Sequence, residues 1–259
     1  TDRLVVMNQN LYSLFESRFR LLVDKAAIRD GASGTALTFG DLMEGGARYA
    51  NALAVLGVEP GDRVTVQVEK SIANVPIYPG VLKARAVYQP LNSAYTETEV
   101  DYFVGDAEPR AIVCDPGRQD VMRALADRRG VNAVVNLGRD GTGSLTGLAA
   151  AMDTRHDTAE RGADDLAGLL YTSGTTGRSK GAMISHGNLA SNAETLVKLW
   201  RFAPDDVLLH ALPIFHVHGL YVALNTSFLN GNEILWFDRY DAAAALAAFS
   251  KATVMMGVP

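Results

Sequence analysis

The chain has 259 residues, 48% of them hydrophobic and 20% charged, with a mean hydropathy of +0.05, a composition that excludes a disordered tail. A folded monomer of this mass exposes about 11,000 Å² against roughly 40,000 Å² when extended, which leaves room for one large core or two modest ones. Twenty-four Lys and Arg against 29 Asp and Glu give a formal net charge of -5, with the basic residues scattered, which argues against nucleic acid as a main partner.

The first residues, TDRLVVMNQNLYSLFESRF, lack the basic region and apolar core of a secretory signal. Met7 reads as a natural start, with residues 1–6 an expression remnant and residues 1–10 a lead segment. From Leu11 onward the chain reads as one folded unit. No window is long and apolar enough to span a membrane. Residues 38–57 place Leu42, Ala47, Ala50, Leu53 and Ala54 on one helical stripe closed by Gly57, followed by a turn and the strand RVTVQVE. The next helix, SIANVPIYPGVLKARA, contains Pro76 and Pro79, which should bend or interrupt it before the strand AVYQPL.

In YTETEVDYFVGDAEPRAIVCD, Thr96 and Glu99 have the spacing of a capping box, and Pro109 separates that helix from a strand ending at Asp115. The only cysteine, Cys114, lies in that apolar run and reads as a buried thiol in a reduced compartment, so a cytoplasmic protein is expected. QDVMRALADRRG and VNAVVNLG repeat the helix and strand order. Residues 138–164, rich in Gly, Thr and Asp, read as a surface excursion and the best internal subdomain boundary. DLAGLLYT then reads as a buried strand, KGAMISH as a returning strand and GNLASNAETLVKLW as a helix with Asn188 near its start.

The alternation continues to Val254–Gly257, which reads as a core strand, so that the chain looks like part of a longer protein. This is the pattern of an α/β fold in which helix-flanked, mainly parallel sheets form adjoining subdomains.

The sharpest chemical feature is YTSGTTGRSKGAM, residues 171–183. Gly174 and Gly177 permit tight turns, Thr172, Ser173, Thr175 and Thr176 supply hydroxyl donors, and the intervening amides can form an anion nest. Arg178 and Ser179 complete the run, and Lys180 adds a mobile cation suited to a triphosphate or a departing pyrophosphate. The spacing fails the Walker A pattern, so transfer of the terminal phosphoryl group is not the natural inference. From composition alone, a hydroxyl-rich surface loop remains open beside a phosphate loop.

Tyr171, the TSGTTG of residues 172–177, Lys180 and Gly181 resemble, in order, the phosphate loop of the adenylate-forming superfamily, which includes acyl-CoA synthetases, luciferases and peptide-synthetase adenylation domains. A second run, HALPIFHVHGL at residues 210–220, resembles that family's segment bordering the acyl pocket. These runs, with LNSAYTETEVDYFVGDAEPRAIVCDP, are similar to the malonyl-CoA synthetase subgroup. The resemblance implies the large N-terminal part of that fold, with residues 11–259 an incomplete AMP-binding domain and the C-terminal domain absent. It implies ATP, Mg2+ and coenzyme A as reactants: malonate attacks the α-phosphate to give malonyl-adenylate and pyrophosphate, and the thiol then displaces AMP.

By the same resemblance Thr172, Ser173, Gly174, Thr175, Thr176, Gly177, Arg178, Ser179 and Lys180 wrap the β- and γ-phosphates, with Thr175 or Thr176 beside magnesium. His216 would stand by the reacting carboxylate as an orienting donor or gate, since a carboxylate needs no base near neutral pH. His218 reads as packing or surface. A metal site from His210, His216 and His218 is disfavoured because no cysteine or carboxylate completes the set. A dianionic acid calls for a guanidinium, yet Arg201 and Arg239 read as solvated, and the substrate-reading arginine is expected beyond Pro259. The family's acidic metal ligand, adenine and ribose contacts and catalytic lysine are expected there too, so the isolated chain is expected to lack turnover. The alternatives are a ligase for another short, medium-chain or aryl carboxylic acid, and a non-catalytic nucleotide-binding fragment.

Overall fold

The computed structural model describes residues 8–172 and 179–258. Its elements run α1 (Leu11–Phe19), β1 (Ala26–Asp30), β2 (Ala36–Thr38), α2 (Phe39–Val55), β3 (Arg63–Gln67), α3 (Ile77–Lys83), β4 (Val87–Pro90), α4 (Glu97–Ala107), β5 (Ala111–Cys114), α5 (Gln119–Arg129), β6 (Ala133–Asn136) and α6 (Ser144–Ala150). They continue as β7 (Leu166–Thr172), β8 (Lys180–Ser185), α7 (His186–Leu199), β9 (Val207–His210), a π-turn (His218–Leu224), α8 (Asn225–Asn230), β10 (Glu233–Trp236), α9 (Ala242–Ala248) and β11 (Val254–Met255). No described helix is long and apolar enough to cross a membrane.

Two sheets result, one in the order β6-β5-β3-β4-β7-β8 and the other β11-β9-β10-β1-β2. Only β7 with β8 and β1 with β2 pair antiparallel; the remaining described pairings are parallel. The alternating helix and strand pattern therefore reports the architecture correctly. Parallel strands need crossover helices to return the chain to the starting edge, and those helices cover both faces.

The local signals act as their chemistry dictates. Thr96 Oγ1 accepts from the Glu99 amide while the Glu99 carboxylate accepts from the Thr96 amide, so two of the unpaired donors that open α4 are satisfied. The prolines split their segment into a 3-10 turn at Ile72–Asn74 and α3, with Pro76 as the helix cap and Pro79 within the first turn, where its missing N–H costs no helical bond. Leu42, Ala47, Ala50 and Leu53 are buried on α2, whereas Ala54 is exposed together with Val55 in the last turn. The Cys114 thiol is buried, and burial beside Asp115 pushes its pKa up to about 12, which makes it an unreactive packing group.

Three features differ from the sequence reading or extend it. The pattern of residues 8–36 carries no strong period, yet α1 buries Phe15 and Phe19 against Phe228, and β1 enters the second sheet opposite β10, with Ile28 level with Ile234. Residues 138–164 contain α6, whose Leu145 and Ala149 are buried and whose helix packs on α2. The expected core strand at Val254–Gly257 is a two-residue strand, Val254–Met255, paired with β9 among the described residues, with Met255 and Gly257 exposed. One hydrophobic cluster joins Val64 and Val66 of the first sheet to Ile28, Ile234 and Trp236 of the second, so the sheets share a core.

Candidate active site

Both motifs lie where parallel strands end. The hydroxyl and glycine run begins at Thr172, the last residue of β7, and resumes at Ser179 and Lys180, where β8 starts back; Thr172 and Lys180 face each other across the ladder. The second motif follows directly from β9, at His210. Crevices outside the carboxyl ends of strands are the usual ligand sites of open α/β sheets, because loops there diverge between helices on opposite faces.

Helix α4 grips both arms of the phosphate-loop candidate. Tyr102 and Asp106 are four residues apart on that helix and so lie on one face. Tyr102 Oη donates to the Ser179 carbonyl at 2.7 Å, and Tyr171 Oη donates to Asp106 Oδ2 at 2.6 Å. Phe103 packs on the Tyr171 ring at 4.5 Å between centroids. Burial and the neighbouring carboxylate raise the Tyr171 phenol far above its ordinary value, so it remains a donor. The arms are thus fixed by α4, while Thr172 and Lys180 remain exposed at the mouth. Ser173, Gly174, Thr175, Thr176, Gly177 and Arg178 lie outside the described residues.

Gly168 brings the two motifs together. It sits in β7, and a Cβ added there would lie 2.0 Å from Tyr221 Oη in the π-turn. Only glycine lets β7 pass this close to the segment that follows the histidine motif. Gly219 serves the same end: a side chain on it would meet the Pro213 carbonyl oxygen at 2.2 Å, so the loop from Pro213 to the π-turn closes tightly.

Between the sheets a cavity of about 310 Å³ opens at the ends of β3, β4, β9 and β10. Val66, Val68, Tyr88, Leu91, Ile214 and Phe215 give it an apolar wall, and Glu69, Lys70, Asp238 and Arg239 add charge. Lys70 is half-buried, and burial pulls its amine down to about 7 while Asp238 opposes that shift. Asp238 accepts from Trp236 Nε1 at 2.8 Å and from Arg139, which ties the loop after β6 to the end of β10.

The three histidines occupy three environments. His210 is buried and stacked on Trp236, and desolvation followed by the Lys70 charge lowers its pKa to about 3, so the ring is neutral. His216 is exposed, one residue past the cavity wall, and its Nδ1 accepts the His218 backbone N–H at 3.4 Å. A neutral ring accepting at Nδ1 carries its proton on Nε2, which leaves that N–H able to donate. His218 is half-buried at the start of the π-turn. Among the described residues no group of three His, Cys, Asp or Glu side chains could hold a metal.

Lys180 opens β8 in the first sheet and His216 lies in the loop after β9 of the second, and no hydrogen bond joins them among the described residues. Arg201 is exposed, as expected of a solvated residue. Arg239 is exposed as well, and it is also one of the residues lining the cavity. Sequence reasoning also missed Lys70, Tyr102, Asp106 and Gly168. Lys70 follows a strand end, but Tyr102 and Asp106 lie within α4 and Gly168 within β7, and their partners are set by how the elements pack rather than by any local pattern.

The family model for AMP-binding enzyme matches residues 15–259. The apo crystal structure of MatB from Rhodopseudomonas palustris is 48% identical, with a TM-score of 0.92 over 98% of this chain and 50% of that one. The ATP-bound MatB structure gives 0.91 at the same identity and the same coverage. Feruloyl-CoA synthase of Amycolatopsis sp is 34% identical over 254 residues, 97% of this chain and 49% of that protein. The chain thus spans about half the length of these relatives. With Thr172 at the end of β7 and the histidine motif at the end of β9 in this architecture, the chain belongs to the family of AMP-binding enzymes.

Proposed function

We propose that the protein carrying this chain ligates malonate to coenzyme A at the expense of ATP, through malonyl-adenylate, releasing pyrophosphate and then AMP in the cytoplasm. The observation that carries the proposal is the common end: Thr172 closes β7 at the carboxyl end of the first sheet, and the cavity behind Ile214 and Phe215 is lined by residues at the carboxyl ends of β3 and β4 of that sheet. A polyphosphate held at the first lies beside an acid held at the second. The 48% identity to MatB and the likeness of both motifs to malonyl-CoA synthetases support malonate as the acid.

The chemical problem is charge. An anionic carboxylate must approach an anionic α-phosphate while negative charge builds on the departing pyrophosphate. In this reading exposed Lys180 and the hydroxyls of Thr172 and Ser179 meet that charge; their place at the end of β7 and the start of β8 supports it. His216 Nε2–H orients the carboxylate without removing a proton. Arg239 is the guanidinium on the cavity wall suited to the far carboxylate of a dianion. Magnesium, when bound, supplies further neutralisation. Thr175 and Thr176, the candidates beside it, lie outside the described residues.

One observation favours a second reading. The cavity wall is mostly apolar, and feruloyl-CoA synthase is 34% identical, so an aryl acid is the alternative substrate. Pyrophosphate release by the full-length protein with malonate, methylmalonate, acetate and aryl or longer acids decides between them. Malonate should be preferred, and Arg239→Met should erase the preference by raising the malonate KM about tenfold or more. Preference for an aryl acid would overturn the malonate assignment.

A further inference from the structure

One lysine joins the carboxyl ends of both sheets. Lys70 follows β3 in the first sheet, and its ammonium reaches across to donate to the carbonyl oxygens of His210, at the end of β9, and Phe237, just past β10. The same nitrogen lies 3.1 Å from His210 Nδ1 and 4.2 Å from the centre of the Trp236 ring. The His210 ring stacks on Trp236 at 4.8 Å and 8°, and its Nε2 lies 2.9 Å from the Gly219 carbonyl oxygen in the π-turn.

The donor and acceptor count fixes the protons. A carbonyl only accepts, so His210 Nε2 carries a hydrogen; the ring is neutral, so Nδ1 is bare and accepts. Lys70 therefore faces three acceptors with three N–H donors. A neutral amine has only two N–H donors, so it would leave one of these three acceptors unpaired. The chain of bonds runs from β3 through Lys70 and His210 to Gly219, and Gly219 closes the loop that carries His216.

We propose that Lys70 is a positioning residue for the ligation: by fixing the tautomer of His210 it holds the Pro213–Gly219 turn, and with it His216, against the cleft between the sheets. The proposal deepens the ligase reading and rests on it for its catalytic consequence; the clamp itself does not. A long-range proton–nitrogen spectrum of the histidine-labelled chain at about pH 6.5 tests the clamp, with the His210 signals assigned by their loss in His210→Gln. Protonated Nε2 and bare Nδ1 are expected, and a proton on Nδ1 in the unaltered chain overturns the proposal without any further variant.

In Lys70→Met, amide exchange across residues 220–224 should speed up about tenfold while β9 and β10 keep their protection. In the full-length protein the same substitution should lower kcat for pyrophosphate release about tenfold or more and leave the KM for ATP within about twofold. Unchanged exchange in the π-turn, or an unchanged kcat, overturns the positioning role. If the unaltered full-length protein shows the tautomer and releases no pyrophosphate with any acid, the ligase reading fails, and with it the catalytic role of Lys70, while the clamp stands.

Discussion

Replacing Gly168 by alanine tests the close passage that links the two motifs. The new Cβ would lie 2.0 Å from Tyr221 Oη, 2.8 Å from Cζ and 3.4 Å from Cε2. Tyr221 is 2% exposed and packed against Tyr78, so its ring has little room to retreat. Overpacking of this kind costs about 1–3 kcal/mol, and the depth of the overlap puts Gly168→Ala near about 3. For a chain of this length about 3 kcal/mol corresponds to a fall in Tm of roughly 6 °C.

The hydroxyl that makes the worst contact is buried and has no hydrogen-bond partner among the described residues, so Tyr221→Phe alone should be nearly neutral. In that background alanine at 168 still meets the ring carbon but not the oxygen, so its cost should drop to about 1–2 kcal/mol. Urea unfolding of the four chains in a double-mutant cycle should therefore give a coupling of about 1–2 kcal/mol, with the double mutant more stable than additivity allows. An additive cycle, or a Tyr221→Phe change that destabilises by more than about 1 kcal/mol, refutes the reasoning.

Lys180→Ala should leave stability within about 0.5 kcal/mol, because the side chain is exposed, and weaken ATP binding about tenfold to a hundredfold by calorimetry; unchanged affinity contradicts its role. Thr96→Ala should cost about 1 kcal/mol in urea unfolding by removing the capping box of α4, and a neutral result contradicts the cap. Buried His186, whose Nδ1 accepts the Leu11 N–H, is lowered by desolvation to about 4, and His210 to about 3. Both bind protons in the unfolded chain, near pH 6.5, well before they do in the folded one. Their contribution is therefore complete above about pH 6.5 and is lost as pH falls toward the folded values, with a slope of up to about 2.7 kcal/mol per pH unit. Urea midpoints that stay flat from about pH 6.5 to about pH 4.5 contradict that burial.

What was legible in the sequence was local or periodic. The Thr96 and Glu99 pair reads as a cap because its reciprocal bonds span only three residues, and the α2 stripe reads as a helix because its period repeats four times over. Pro76 and Pro79 announce the break before α3 through a missing donor. Long-range features stayed hidden. β1 owes its burial to β10, more than 200 residues away in sequence, and nothing within AAIRD reports that neighbour. Ala54 keeps the period of its stripe but falls in an exposed last turn, and Val254 has strand character yet pairs with β9 alone among the described residues.

The site divides in the same way. Thr172, Lys180 and His216 could be named because each sits in a run of unusual composition. Lys70 lies in VEKS, which reads as the solvated end of a strand; its role comes from carbonyls of residues 210 and 237 that the sheet order brings within reach. Arg239 follows β10 and faces the cavity only because β10 lies beside β9. Gly168 looks like a defect in a buried strand until the Tyr221 ring is placed against it.

Oxygen tracing asks most directly whether a carboxylate attacks the α-phosphate of a nucleotide, as the proposed role of residues 172–180 requires. Malonate labelled with heavy oxygen in its carboxylates is turned over by the full-length protein with ATP and coenzyme A, and the products are weighed. Adenylation predicts AMP carrying one labelled oxygen and unlabelled pyrophosphate. Label in inorganic phosphate with ADP as the nucleotide product would mean attack at the terminal phosphate, and would contradict the account.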